Sequence, residues 1–369
     1  MSAIVAEDRL AGLGQDPRIY VLPDARLVFT ALNKNACTSL KWMIAQVAGE
    51  DLGSFKAGIG TYTTDRESIH NRRLWKRALT MDLVDPAIRA GIQPDDGWLI
   101  FAVVRDPRSR MFSAWQNKLL FNNAGYAKWR GEPWYPRGGF DAAAIVDDFA
   151  RFVDALDADP DHPLLLNDNH FRSQTMLLRL DHLTYSRIYD ISEIATAVDD
   201  IQAHLAELGI AAPEFPVERA NDTPLPANTA VIDPAIRGKI ERIYAEDFRR
   251  FGDRWDFAGI AEARTWTKAD LDQARVRATL GRRITELREL AMTHRRRAEK
   301  EHATALELRE LGERLQARNA ELEFKLRADR DGASARARRG SMRRRLRRLA
   351  VTLGLRRARS ERKDGGAGS

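Results

Sequence analysis

The chain has 369 residues, 44% of them apolar, enough for one substantial α/β domain with a closed core and an appendage. Its single cysteine, Cys37, excludes an internal disulfide framework and a cysteine zinc site, and it points to a reducing cytoplasm. The formal charge of +7 is unevenly spread: residues 335–363 hold 13 Arg or Lys against one Glu, a net +12 that leaves −5 for the rest. Anion binding by the globular part therefore needs local devices, not a global field.

The opening stretch, MSAIVAEDRLAG, meets acidic residues too early for a secretory leader. The longest apolar run of the folded region, Trp98 to Val104, is seven residues, where a membrane span takes about 20. Composition divides the chain into an N-terminal segment at 1–17, an α/β domain at 18–262, a helical coiled coil at 263–332 and an Arg-rich, partly disordered tail at 333–369.

Leu27 to Leu32 is a short β-prone run, Asn33 to Cys37 is small and polar, and Leu40, Met43, Ile44 and Val47 return at helical spacing. Thr38 or a small neighbour is the expected helix cap. A strand, loop and helix of this kind aims free backbone N–H groups and the positive end of a helix dipole at one point, where a phosphate or sulfate settles. Lys34 adds charge, and Thr38 and Ser39 add hydroxyl donors. The lysine precedes the small residues and no GxxxxGK[ST] is present, which weighs against ATP or GTP hydrolysis.

Leu99 to Val104 reads as a second buried strand, with Pro107 at the start of the helix that follows. Arg105 then stands at the carboxyl end of that strand, the ligand edge of an open parallel sheet. Its guanidinium suits a phosphate, and Ser113 lies two helical turns on. Arg108 is expected to pair with Asp106, while Arg110 is ambiguous. Further on, Tyr126 to Phe140 is a Gly/Pro-rich loop whose Trp129 and Trp134 could stack on a sugar ring or anchor the loop.

Beyond Trp266 a heptad pattern places Leu280, Leu287, His294, Glu301, Leu308, Leu315 and Leu322 at d, and Ile284, Ala291, Ala298, Ala305, Gly312, Asn319 and Leu326 at a. Such a seam argues a parallel homodimer, against a solvated helix packed back on the domain. Met342 to Leu355 has the makings of a basic amphipathic helix at an anionic membrane or polymer, such as the inner membrane surface; the alternative is a solubilising tail, and no specific nucleic-acid contact is expected.

NKNACTSLK (Asn33 to Lys41) and VVRDPRSRMFSAWQNK (Val103 to Lys118) resemble the 5′-phosphosulfate and 3′-phosphate motifs of the sulfotransferase superfamily, especially the carbohydrate sulfotransferases of the Golgi and their bacterial relatives. NDNHFRSQ (Asn167 to Gln174), IYDISEI (Ile188 to Ile194) and IYAEDFRRFG (Ile243 to Gly252) are similar to later segments of those enzymes. The resemblance implies an α/β fold with a P-loop-like central parallel sheet flanked by helices, here followed by the long helix or coiled coil. It implies transfer of a sulfuryl group from 3′-phosphoadenosine 5′-phosphosulfate to a hydroxyl, of a carbohydrate or glycolipid, without a metal.

Carried over by residue, the resemblance puts Lys34 at the bridging oxygen of the donor and Asn35, Ala36, Cys37, Thr38 and Ser39 around its phosphosulfate. Arg105 and Ser113 take the 3′-phosphate, and Tyr189 lies near the adenine. His70 occupies the interval where the family places its catalytic base, with His170 the second candidate and a substrate contact beside Trp129 and Trp134. A kinase-like nucleotide binder, or a coiled-coil scaffold with a degenerate domain, is the competing reading.

Overall fold

A computed structural model describes Leu10 and residues 12–57, 65–212 and 224–360. Most of the N-terminal segment expected at 1–17 and the GGAGS end lie outside the described residues. The chain divides into two compact units, Met1–Arg288 and Glu289–Ser369.

The first unit is built on a four-stranded sheet of order β1-β2-β3-β4, with β1 at Ile19–Leu22, β2 at Leu27–Thr30, β3 at Leu99–Val104 and β4 at Arg187–Asp190. β2, β3 and β4 run parallel, Leu27 opposite Leu99 and Phe101 opposite Arg187, while β1 runs antiparallel to β2. Because side chains alternate along a strand, β2 and β3 feed two cores. Phe29, Phe101 and Val103 enter the core on one face, and Val28 and Ile100 enter another on the opposite face. Covered on both faces, β3 reads as an unbroken apolar run, LIFAVV.

Helices follow the strands: α1 Cys37–Val47 after β2, α2 Pro107–Trp115 after β3, then α3 Ala142–Ala158, α4 Gln174–Leu178, α5 Ile194–Glu207, α6 Pro234–Ile243, α7 Ala245–Phe251 and α8 Lys268–Ser360. α2 starts where the sequence places it, with Pro107 at its first position and the Asp106 carboxylate accepting from Arg108 N–H. α1 starts differently from expectation. Its N-cap is Ala36, and no side chain caps it, so Thr38 lies inside the helix with its hydroxyl engaged elsewhere.

Glu50 pins the segment that follows α1. Its buried carboxylate accepts the backbone N–H groups of Lys76, Arg77 and Ala78 at 2.7–3.0 Å, and Trp75 Nε1 donates to Ile69 O. That brace sets His70 against α1.

The boundary expected at 262/263 moves. The first unit runs to Arg288 because the root of α8 belongs to its core: Ala274, Ala278 and Thr285 are buried, and Trp266 just before it stacks on Phe112, 5.9 Å between ring centroids. Gly281 lets the helix press on the turn at Phe121; a Cβ there would lie 1.8 Å from the Phe121 carbonyl oxygen. The tail expected to begin at 333 is instead helical to Ser360, continuous with the rest of α8. Among the described residues no helix is long and apolar enough to cross a membrane.

Truncation after Arg288 should therefore leave thermal unfolding of the first unit intact. Truncation after Glu262 removes Trp266 and the buried alanines, and should cost about 3 kcal/mol or more, the scale of deleting one buried aromatic. Equal melting temperatures for the two truncations in calorimetry would contradict this placement.

Candidate active site

The loop after β2 is strained in a telling way. Lys34 and Ala36 both lie in the left-handed region, at φ 72° and φ 54°, where residues with a Cβ incur about 1–3 kcal/mol each. The strain turns the chain so that α1 opens with uncapped N–H groups beside Lys34.

Two braces hold this conformation. Asn35 Nδ2 donates to Val103 O at 2.9 Å and to Gln174 Oε1 at 2.7 Å, while Gln174 also accepts from Arg105 N and donates to Arg105 O. The fully buried Gln174 thus ties the β2 loop to the β3 loop. Its own N–H and that of Thr175 donate to Asp247 of α7. Arg110 is the second brace: completely buried, it donates to the carbonyls of Asn33, Asn169 and Arg172.

Arg105 reaches back across the cleft, Nη1 donating to Lys34 O at 3.2 Å and Nε to Ser109 Oγ at 3.0 Å. The structure joins Arg105 to Ser109 and not to Ser113, a buried residue whose hydroxyl has no partner among the described residues. Arg108 is held by Asp106 and Glu241 and takes no part in the cleft.

The Lys34 ammonium has no hydrogen-bond partner among the described residues. Burial, then repulsion by Lys118 and Arg105, pull its pKa down to about 7. An anion placed there would restore the charge. Cys37 is buried at the first position of α1, and Ser39 is half-buried one turn into it.

The two histidines differ in kind. At His70, the Lys41 ammonium can only donate, so Nδ1 accepts it (3.2 Å) and the ring proton sits on Nε2, facing Thr38 Oγ1 at 3.0 Å. Burial and the neighbouring Lys41 push its pKa down to about 2. Nδ1 of His70 is thus engaged by a cation and Nε2 by a hydroxyl.

His170 has its Nδ1 against the Asp168 carboxylate at 2.8 Å, which fixes the proton on Nδ1 and leaves an Nε2 lone pair. Asn33 Nδ2 donates to that lone pair at 2.8 Å, and the Tyr126 hydroxyl donates to Asp168. Burial, then Lys118, hold His170 well below its usual pKa, so it is neutral at pH 7. Neither Asp168, Tyr126 nor Lys118 was singled out from the sequence, although Asp168 stands two residues from His170 and Lys118 ends the Arg105 motif.

Trp129 lines an open cleft of about 440 Å³ with Asn33, Tyr126, Asp168 and His170. Trp134 does not reach it. Its ring is 7% exposed, packed among Trp129, Phe152 and His162, so it anchors the loop. Tyr189, within β4, is fully buried, its hydroxyl donating to Asp200, its ring edge-on to Phe101 and covered by the Arg187 guanidinium.

Replacing Gln174 with Leu should leave the Arg105 N–H unpaired and Asn35 one bond short, a loss of about 1–3 kcal/mol for each. Denaturant melts should show that loss, since the two loops lose their common brace; an unchanged midpoint would contradict it.

The loops after β2 and β3 thus bring an unpaired lysine, a helix N-terminus and an arginine together, and Asn33 of the first loop bonds an aspartate-oriented histidine. No curated protein and no solved structure matches the chain. Residues 17–252, well over half of it, match the sequence model of the sulfotransferase family, and the chain belongs to that family, whose transferases move sulfuryl groups.

Proposed function

We propose that the enzyme transfers a sulfuryl group from 3′-phosphoadenosine 5′-phosphosulfate to a hydroxyl of a carbohydrate or glycolipid. The observation that carries this reading is the strained turn at Lys34 to Ala36, which sets an unpaired ammonium at the start of α1 and is tied through Gln174 to Arg105. A monoanionic sulfuryl ester and a separate phosphate fit two such positions. In this reading the N–H groups of residues 35–39 surround the phosphosulfate, Lys34 neutralises the bridging oxygen, and Arg105 with the unpartnered Ser113 holds the 3′-phosphate.

His170 then takes the proton of the acceptor. A hydroxyl replaces the Asn33 amide at Nε2, its oxygen bonds to sulfur as the sulfur to phosphate-oxygen bond breaks, and the proton passes to Nε2 while Asp168 keeps the ring oriented. Trp129, in the cleft beside His170, supports a sugar as the acceptor.

Adenosine 3′,5′-bisphosphate should raise the melting temperature, by about 2.7 kcal/mol of stabilisation at a hundredfold excess over Kd, while ATP with magnesium should not. With water as the acceptor, His170→Ala should slow sulfate release from the donor about 10²-fold or more and His70→Ala much less. The opposite order would return the base role to His70, and stabilisation by ATP alone would favour the kinase-like reading.

For partners, we propose a parallel homodimer through the leucine seam of the second unit. Leu308, Leu315 and Leu322 at d and Leu326 at a are 44–66% exposed, while neighbouring charges are paired within the helix, as in Arg309 with Glu313. In the parallel register Arg318 at g faces Glu323 at e of the second copy, and Asn319 faces its equivalent. The segment 336–348, eight arginines with no acid, with Met342, Leu346 and Leu349 along one exposed stripe, supports peripheral binding to an anionic surface. Leu315→Glu with Leu322→Glu should halve the mass seen by light scattering. Truncation after Arg288 should abolish salt-sensitive sedimentation with phosphatidylglycerol vesicles. An unchanged mass or unchanged sedimentation would refute the corresponding partner.

A further inference from the structure

Lys118 lies on the π turn Gln116–Leu120 that ends α2, closed by Phe121 N–H to Gln116 O at 2.9 Å. One such turn inside a helix rotates the residues that follow, and π turns concentrate at functional sites. Here the turn brings the Lys118 ammonium to 5.8 Å from the centre of the Tyr126 ring. The same tyrosine contacts the His170 dyad, its hydroxyl 3.0 Å from Nδ1 and bonded to Asp168. The lysine therefore sits beside the histidine that faces the cleft.

No carboxylate forms an ion pair with Lys118 among the described residues, and no hydrogen bond satisfies it. A largely desolvated ammonium that only Glu67 and Asp168 attract, neither of them paired with it, is costly unless a ligand supplies a closer counter-charge. Its charge is also felt by both ends of the proposed reaction, Lys34 on one side and His170 on the other. Arg105 is occupied by Ser109 and the Lys34 carbonyl on the other loop.

We propose that Lys118 is a second cation of the reaction centre, holding the non-bridging sulfuryl oxygens of the donor while Lys34 neutralises the bridging oxygen. This rests on the donor assignment made above. Lys118 neither gains nor loses a proton: the sulfuryl group leaves the phosphate oxygen for the acceptor oxygen, and the proton goes to His170.

The test uses the full chain with Lys118→Met and Lys118→Arg. Calorimetry compares adenosine 3′,5′-bisphosphate with the phosphosulfate donor, and sulfate release to water reports turnover. Lys118→Met should keep the bisphosphate Kd within about threefold, and slow sulfate release about 10²-fold, the effect of losing one charge-stabilising group. Lys118→Arg should recover part of it. The ring of His170, followed by NMR, should titrate at higher pH in Lys118→Met, since a repelling cation is gone.

Unchanged sulfate release in Lys118→Met would overturn the proposal, as would equal loss of bisphosphate and donor binding, which would mark a structural role. Wild-type protein that binds neither nucleotide would overturn the donor assignment, and this proposal with it.

Discussion

The side-chain amide of Gln174 is the joint on which the cleft depends. β2 and β3 end side by side, but their loops diverge, and only a group buried between them can hold both. Gln174 does so with three hydrogen bonds, taking N–H groups from Asn35 and Arg105 and returning one to the Arg105 carbonyl. A neutral amide suits the position because it accepts and donates at once without the desolvation cost of a charge. Asp247 holds it from behind. With that joint in place, the left-handed backbone at Lys34 and Ala36 can persist.

The legible part of the fold was the part set by local pattern. The apolar run Leu99–Val104 and Pro107 at the head of α2 read correctly because burial on both faces and proline geometry leave direct marks in sequence. The turn from β2 into α1 was legible, yet its brace was not: Gln174 lies 139 residues from Asn35, and nothing local ties them. His70 and His170 were distinguishable only by their neighbours, Lys41 beside one ring and Asp168 beside the other. The burial of Tyr189 and Trp134 was not legible for a related reason, since an aromatic side chain that stacks on a ligand and one that fills a core look alike in sequence. The domain boundary moved because Ala274 and Ala278 are as good in a solvated helix as in a packed one.

The cleft is electropositive within a domain that carries no positive excess of its own. Lys34, Lys41, Arg105 and Lys118 act on one another or on the same histidines across ground where few acids intervene. Their mutual repulsion is visible in the lowered pKa of Lys34. Near neutral pH this lysine is only partly protonated, and an incoming anion raises its pKa again. An anion bound there would draw a proton from solvent, with the uptake growing as pH rises above about 7.

The contact at Gly281 bears on motion. With no Cβ between them, the backbone of α8 and the carbonyl of Phe121 meet directly, and Thr285 Oγ1 donates to the next carbonyl, that of Asn122. Phe121 follows the π turn that carries Lys118. Surface loops of this length ordinarily fluctuate on the nanosecond to microsecond scale, but a turn clamped backbone to backbone against a helix has no slack of its own. The segment bearing Lys118 shares the small rocking amplitude of the helix root, which keeps the ammonium in register with the Tyr126 ring.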